Sequence, residues 1–282
     1  MKKVERAAQL MASNDTIFAC PVCQSMMTVK GTTITCYQGH HFDLAKKGYA
    51  NLYTQSSPAD YDKTLFESRY QVIQAGLYDE LHRLIQMLIQ ENSSKDDFTV
   101  LDAGCGEGSH VSHILQPFEQ VTGIGLDIAK DGIMTAAKYH SDCIWCVGDL
   151  ANSPFQSNQF DVILNLLSPA NYQDFHRILQ PEGMVIKVVP QQNYLKEIRS
   201  LVFDDSQQSH NNRATIDQFK QQYRQVVTHR LQYTRYIDPD IRPDLLTMTP
   251  LTWHHRNSNQ LEKWSEQFDD VTIDLDILIG IP

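Results

Sequence analysis

Val100-Leu101-Asp102-Ala103-Gly104-Cys105-Gly106-Glu107-Gly108 is an apolar run that ends in an acid and breaks into three glycines. A strand running into glycines and then a helix brings backbone close to a ligand at the carboxyl edge of a sheet. The helix beyond can favour a carboxylate at its amino end. Outward from this stretch, short apolar runs alternate with helical segments. Val121 to Leu126 ends at Asp127, Cys143 to Val147 at Gly148-Asp149, and Phe160 to Leu167 at Ser168-Pro169, while Met184 to Val189 follows Pro181-Glu182-Gly183. Strand and helix in repeated alternation predict an α/β fold with a doubly wound, Rossmann-like sheet. Upstream, Leu77, Leu81, Leu84, Ile85 and Leu88 recur at helical spacing until Asn92 to Asp97 breaks the pattern. Beyond Gln191 come a helix, a basic stretch and a β-prone segment, Val271 to Ile281. Dinucleotide binding is the rival reading of the glycine turn. The place for its third Gly or Ala holds Ser109, which disfavours it. Asp127, placed where ribose hydroxyls could be held, does not discriminate, because NAD enzymes share that acid.

The 282 residues are 41% hydrophobic and 21% charged, which excludes a disordered tail, a collagen and a coiled coil. No run approaches the roughly 20 apolar residues of a membrane helix. The start, Met1-Lys2-Lys3-Val4-Glu5-Arg6, does not read as a secretion signal, so a cytoplasmic protein with no membrane partner is expected. A net charge of −10 weighs against a nucleic-acid partner, since phosphate contact needs positive surface. Its distribution softens this: residues 1–60 carry six Lys/Arg against four acids, leaving 18 against 30 for the remainder. From His210 to Tyr236, Arg213, Lys220, Arg224, Arg230 and Arg235 stand against Asp217 alone, interleaved with Phe219, Tyr223, Tyr233 and Tyr236. Aromatics beside arginine suit unstacked bases; the plainer reading is a solvated face with ordinary core aromatics.

Of the six cysteines, three form Cys20-x₂-Cys23-x₁₂-Cys36, followed by x₃-His40. A tetrahedral zinc site wants four such ligands, and the Cys-x₂-Cys knuckle places two sulfurs together. Met26 to Lys30 and Thr32 to Cys36, around Lys30-Gly31, read as a hairpin that returns the third ligand. His40 is the natural fourth ligand and His41 its competitor. Four protein ligands close the shell, so the zinc is expected to be structural, a staple for a segment too small to build a robust core. Thr54 to Asp60, punctuated by Ser-Pro, reads as a linker. The division expected is 1–57, zinc-binding ribbon and linker, and 58–282, the larger domain. Cys143-Ile144-Trp145-Cys146 is also Cys-x₂-Cys, but positions three apart on a strand face opposite ways, so a redox pair is rejected.

With Asp102 on the strand end, Asp149 closing a third strand and Leu179-Gln180-Pro181-Glu182-Gly183 entering a fifth, residues 98–190 resemble the class I S-adenosylmethionine-dependent methyltransferases. The resemblance implies that Asp102, Gly104 and the rest of the turn to Gly108 face the methionyl part of that cofactor, with Asp127 on the ribose and Asp149 on the adenine. A narrower resemblance joins both halves. It rests on Cys20-Pro21-x-Cys23, Cys36-x₃-His40-x-Phe42-Asp43-x-Ala45-x₂-Gly48-Tyr49-x-Asn51-Leu52, Arg69, Ala75-Gly76-Leu77-Tyr78, Pro169, Pro190 and Leu246-x-Met248-Thr249-Pro250. These are similar to the 23S rRNA (guanine-N1)-methyltransferases, the RlmA group. The resemblance implies methyl transfer to N1 of a guanine in a hairpin loop of 23S rRNA, naked or in a large-subunit precursor, and cofactor contacts from Tyr78, Gly106 and Glu107. At a further cofactor position the family commonly has histidine; here Tyr194 stands, followed by Leu195.

The sulfonium methyl is already activated, so the protein's main task is in-line alignment of the acceptor. N1 of guanine lies on the Watson–Crick edge and carries a proton, so the target must be unpaired. No sequence feature identifies the proton acceptor; His110, beside the turn, reads more simply as a loop or cap histidine. Lys30, Lys46 and Lys47 beside the zinc ligands suggest an RNA-reading surface. Two other functions stay open on sequence: a small-molecule or protein methyltransferase, favoured by net acidity, and a zinc-bearing binding module without catalysis. Monomer and homodimer are both open.

Overall fold

The computed structural model describes residues 1–55, 63–93, 95–203, 212–255 and 259–282. An opening helix, α1 (Lys3–Ala12), precedes a small antiparallel sheet of β1 (Met27–Lys30), β2 (Thr33–Cys36) and β3 (His41–Asp43). The short β4 (Ala50–Asn51) follows, then α2 (Lys63–Gln74) and α3 (Asp79–Asn92). The alternating section runs β5 (Phe98–Ala103), α4 (Ser109–Leu115), β6 (Val121–Asp127), α5 (Lys130–Tyr139), β7 (Ile144–Val147), β8 (Phe160–Leu166), α6 (Tyr172–Ile178) and β9 (Leu179–Pro190). The chain finishes with α7 (Lys196–Val202), α8 (Arg213–Gln222), β10 (Gln225–Tyr236), α9 (Arg242–Met248), α10 (Gln260–Ser265) and β11 (Asp270–Ile281).

Eight strands form one sheet in the order β10-β11-β9-β8-β5-β6-β7-β4. Pairing from β9 to β4 is parallel, and β11 and β10 add antiparallel at the other end. Helices cover both faces, which is why β5, β7 and β8 are apolar almost throughout: a strand buried on both sides has no solvent face to make polar. The order reverses between β5 and β6, on one side, and β8 on the other, and the crevice outside such a switch point is where a ligand fits.

The lysine–glycine turn at Lys30-Gly31 closes the expected hairpin, in the register Met27↔Cys36 to Lys30↔Thr33. The ribbon is bound into the larger body. Leu52 N donates to Val147 O at 2.9 Å beyond β4, Ala19 N to Pro154 O at 2.9 Å, and Gln156 N to Ile17 O at 2.8 Å. Met27, Ile34 and Cys36 share an apolar cluster with the sheet residues Leu101, Ile124 and Ile163. Of the expected linker, Thr54 and Gln55 are described and the remainder lies outside the described residues. Cys143 and Cys146 pack into different clusters on opposite sheet faces, as the strand period requires, and burial pushes both thiols up to about 12.

In the basic stretch, α8 lies against the sheet and β10 forms its edge; His210 and Asn211 lie outside the described residues. Phe219 and Tyr223 are buried, and Tyr233 donates from its hydroxyl to Leu77 O at 2.6 Å. Arg230 pairs with Asp274 and Asp276 on β11, Arg235 with Asp79, and Arg213 with Asp217. The plainer reading of this segment therefore holds for most of its members; Tyr236 alone of the four aromatics is broadly exposed, at 60%.

Candidate cofactor cleft and metal centre

The turn after β5 holds Gly104, Gly106 and Gly108 at φ +83°, +56° and +78°, left-handed values that cost a side-chain-bearing residue about 1–2 kcal/mol. Gly104 has a steric reason as well: a Cβ there would lie 1.9 Å from Ser168 Oγ. A Cβ on Gly108 would lie 2.2 Å from the Trp145 ring. The turn opens into a cleft of about 730 Å³. Asp102, Gly104, Asp127, Asp149, Tyr78 and Tyr194, all expected from sequence, line it. Gly106 and Glu107 stand behind this wall: the Gly106 amide donates to Asp127 Oδ2 at 2.8 Å, and Glu107 is 1% exposed.

The carboxylates differ in how they are satisfied. Asp127 accepts from the Gly106 and Ala129 amides, at 2.8 and 2.7 Å, which fixes its orientation at the end of β6. Asp149 accepts from Ala151 N at 2.8 Å. Asp102 Oδ1 and Glu107 Oε2 are buried without a partner among the described residues. Burial raises Asp102 well above the ordinary carboxylate range, reinforced by the nearby Glu107 and Asp127 charges. Glu107 is raised by burial too, with Arg69 opposing. Buried polar atoms left unpaired are costly, and a glycine turn, a backbone-oriented acid and orphaned carboxylate oxygens fit a polar cofactor carrying amine and hydroxyl donors.

Tyr78 and Tyr194 meet, hydroxyl to hydroxyl, at 2.6 Å. His110 packs edge-on against Tyr78, and its Nδ1 shares a 2.9 Å hydrogen bond with His82 Nε2. Burial drops His110 to about 3. The rest of the lining comes from Leu166 to Ala170, from Lys187 to Pro190, and from Met248-Thr249-Pro250 with Trp253. Leu167 sits there at φ +54°, a strained value for a branched side chain. Sequence reading assigned nothing to Lys187 or Ser168 and left Arg69, which also lines the cleft, without a role. For Lys187 a signal existed: it is the one charge inside Val185-Ile186-Lys187-Val188-Val189.

At the ribbon, one ligand atom from each of Cys20, Cys23, Cys36 and His40 lies within 4.8 Å of the others. Cys23 and Cys36 sulfurs are 3.7 Å apart, and His40 Nδ1 is 3.3 Å from Cys36 Sγ and 3.6 Å from Cys20 Sγ. A tetrahedral zinc with bonds of about 2.0–2.3 Å sets its ligands roughly 3.5–3.8 Å apart, so the donor set fits that ion. His41 is exposed and lies beside Gly39 O instead. A second group, Asp79, His82 and His113, also falls within 4.8 Å. It is partly engaged: Gln74 Nε2 donates to His113 Nε2 at 2.9 Å, Arg235 pairs with Asp79 and His82 Nε2 bonds His110, while His82 Nδ1 is buried without a partner among the described residues. Lys30, Lys46 and Lys47 are exposed on the ribbon.

Comparison with known proteins agrees with both centres. Residues 18–54 match the zinc-ribbon family described as RlmA, N-terminal, and residues 100–183 match a methyltransferase domain. YxjB of Bacillus subtilis, named as a 23S rRNA (guanine-N1)-methyltransferase, is 39% identical over 273 residues, spanning 94% of this chain and 97% of that protein. The 23S rRNA (guanine(748)-N(1))-methyltransferase of Streptomyces fradiae is 29% identical over 238 residues, spanning 83% and 85%.

Proposed function

Because the chain belongs to the 23S rRNA (guanine-N1)-methyltransferase family, we propose that it transfers a methyl group from S-adenosylmethionine to N1 of a guanine in a hairpin loop of 23S rRNA. The observation that carries this reading is the glycine turn of β5, opening beside Asp127 into the cleft, in a chain that also holds a Cys₃His zinc ribbon. A cytoplasmic location, with rRNA or a large-subunit precursor as partner, belongs to the same reading; among the described residues no helix is long and apolar enough to cross a membrane.

S-adenosylmethionine supplies an activated sulfonium methyl, so the protein's residues need not activate the donor. Asp127, with both oxygens oriented by backbone amides, is suited to accept from the ribose hydroxyls. In this reading Asp149, which lines the cleft, takes the adenine, and the unpaired oxygen of Asp102 takes an amine. Arg69 is the cleft cation suited to a carboxylate, and it would lie 2.9 Å from a Cβ on Gly106. Tyr78 and Tyr194 close the cleft's inner end with their shared hydroxyl bond. Zinc at the ribbon is structural, its four protein ligands leaving no open position. Lys30, Lys46 and Lys47 offer exposed positive charge of the kind an RNA backbone requires, on a chain whose net charge is −10. The guanine must enter unpaired, because its N1 edge is closed in a duplex.

Transfer of labelled methyl to 23S rRNA from cells lacking this gene, naked and in ribosomal particles, tests the reading. Label recovered as 1-methylguanine in one hairpin supports it. No label, with cofactor binding confirmed by calorimetry, overturns it in favour of a small-molecule substrate.

A further inference from the structure

Methylation at N1 releases a proton, and the cleft wall next to the glycine turn holds a buried amine. Lys187 is 3% exposed on β9, yet it lines the cleft beside Ser168 and Pro190. Its Nζ donates to Asn165 Oδ1 at 2.5 Å and to Ser168 O at 3.1 Å. Asn165, fully buried, is itself fixed, its Nδ2 donating to Ala103 O and Pro169 O at 2.9 Å each. The amine is thus pinned between the end of β5 and the turn after β8. A neutral amine that donates both hydrogens to these acceptors keeps one tetrahedral position, its lone pair, for the cleft.

Among the described residues no carboxylate forms an ion pair with Lys187. On β9 itself Glu182 is exposed and five positions away, and on β8 Asp161 pairs with Lys95. On α6, Asp174 pairs with Arg177; on α8, Asp217 pairs with Arg213; on β11, Asp274 and Asp276 pair with Arg230. Asp102 on β5 is held toward its neutral form by burial, as is Tyr172 on α6, which is pushed up to about 12. Burial draws Lys187 itself down from 10.5 to about 8, so its neutral form is populated near physiological pH. His110 is the weaker rival, since a base near 3 has little pull on a proton.

We propose that Lys187 is the proton acceptor of the reaction, which rests on the guanine-N1 reading above. The lone pair of neutral Nζ takes the hydrogen from guanine N1. The N–H pair left on N1 forms the new N–C bond, and the C–S bond breaks with its electrons retained on sulfur. Nζ becomes an ammonium and returns its proton to solvent through the cleft. Lys187 would be a catalytic residue of a kind that general-base removal makes visible, at about 10²–10⁴-fold.

The test is single-turnover methylation at saturating cofactor and rRNA, from about pH 6 to 9.5, for the wild type, Lys187→Met and Lys187→Ala. The wild-type rate should rise with a midpoint near 8 and level off. Lys187→Met should lose at least about 100-fold at pH 8 and rise without levelling, as hydroxide replaces the base, while its thermal midpoint and its affinities for cofactor and rRNA stay within about threefold of wild type. Added ethylamine should partly restore Lys187→Ala. Wild-type rates in Lys187→Met overturn the proposal. So does a loss with an unchanged pH profile and no amine rescue, which marks a positioning role. Failure of the wild type itself to form 1-methylguanine overturns the functional reading first.

Discussion

Tyr78→Phe and Tyr194→Phe delete the same hydrogen bond, and the structure says they should not cost the same. Tyr78 is 2% exposed, and among the described residues its hydroxyl bonds only Tyr194, 2.6 Å away. Both rings line the cleft, but Tyr194 is partly exposed where Tyr78 is closed off. Removing the Tyr194 hydroxyl therefore strands a polar atom away from water, at about 2–3 kcal/mol, the upper part of the range for an unsatisfied buried group. Removing the Tyr78 hydroxyl leaves its partner where cleft water can substitute, so about 0.5–1 kcal/mol is expected. The double variant strands neither and should cost less than the sum, with a coupling of about 1–2 kcal/mol.

Equilibrium urea unfolding of the four proteins, zinc-loaded, gives the cycle. Thermal midpoints should follow at about 2–4 °C for each kcal/mol in a chain of this size. Equal costs, the reverse order, or additivity within about 0.5 kcal/mol would each refute the reasoning, because each means that the hydroxyls do not depend on one another. Cofactor titration of the same variants separates the bond's structural role from any direct hold on ligand.

Other consequences can be measured independently. Chelation or Cys36→Ser should release one zinc per chain and lower the thermal midpoint of the whole body, since the ribbon and sheet share an apolar cluster; metal content should fall in His40→Ala and persist in His41→Ala. Gly104→Ala should weaken S-adenosylmethionine binding by at least about tenfold in calorimetry, through φ +83° and the 1.9 Å approach to Ser168. Gly31→Ala, at φ +61° with nothing within 4 Å, is the control and should cost only about 1–2 kcal/mol of stability. Reversing Lys46 and Lys47 to Glu should lower rRNA affinity and flatten its salt slope by about 0.7 for each lost phosphate contact, with cofactor affinity unchanged; an unchanged slope removes the ribbon from the RNA interface.

What sequence could show depended on whether the chemistry was local. The parallel strands β5, β6 and β8 are legible because burial on both faces leaves apolar runs, and β5 and β6 also because an acid stands at the end where a ligand approaches. The zinc ligands are legible because spacing and ligand type are set together by the ion. The edge strand β10 was not. Its residues largely alternate between half-buried and exposed, and its two arginines meet acids far away in the chain, Arg230 on β11 and Arg235 at Asp79 on α3, so a strand that looks like free positive charge in the chain is neutralised in the fold. The same division runs through the cleft. The cofactor wall is one turn plus two strand ends, each with a residue type that physics restricts. The acceptor wall joins the β8 turn, β9, α8 and residues 248–250, and no local pattern anticipates their meeting. Lys187 shows the consequence: in the chain it is a lone charge in an apolar strand, and only the fold supplies the burial that draws its charge off and the Asn165 and Ser168 oxygens that fix where its Nζ sits.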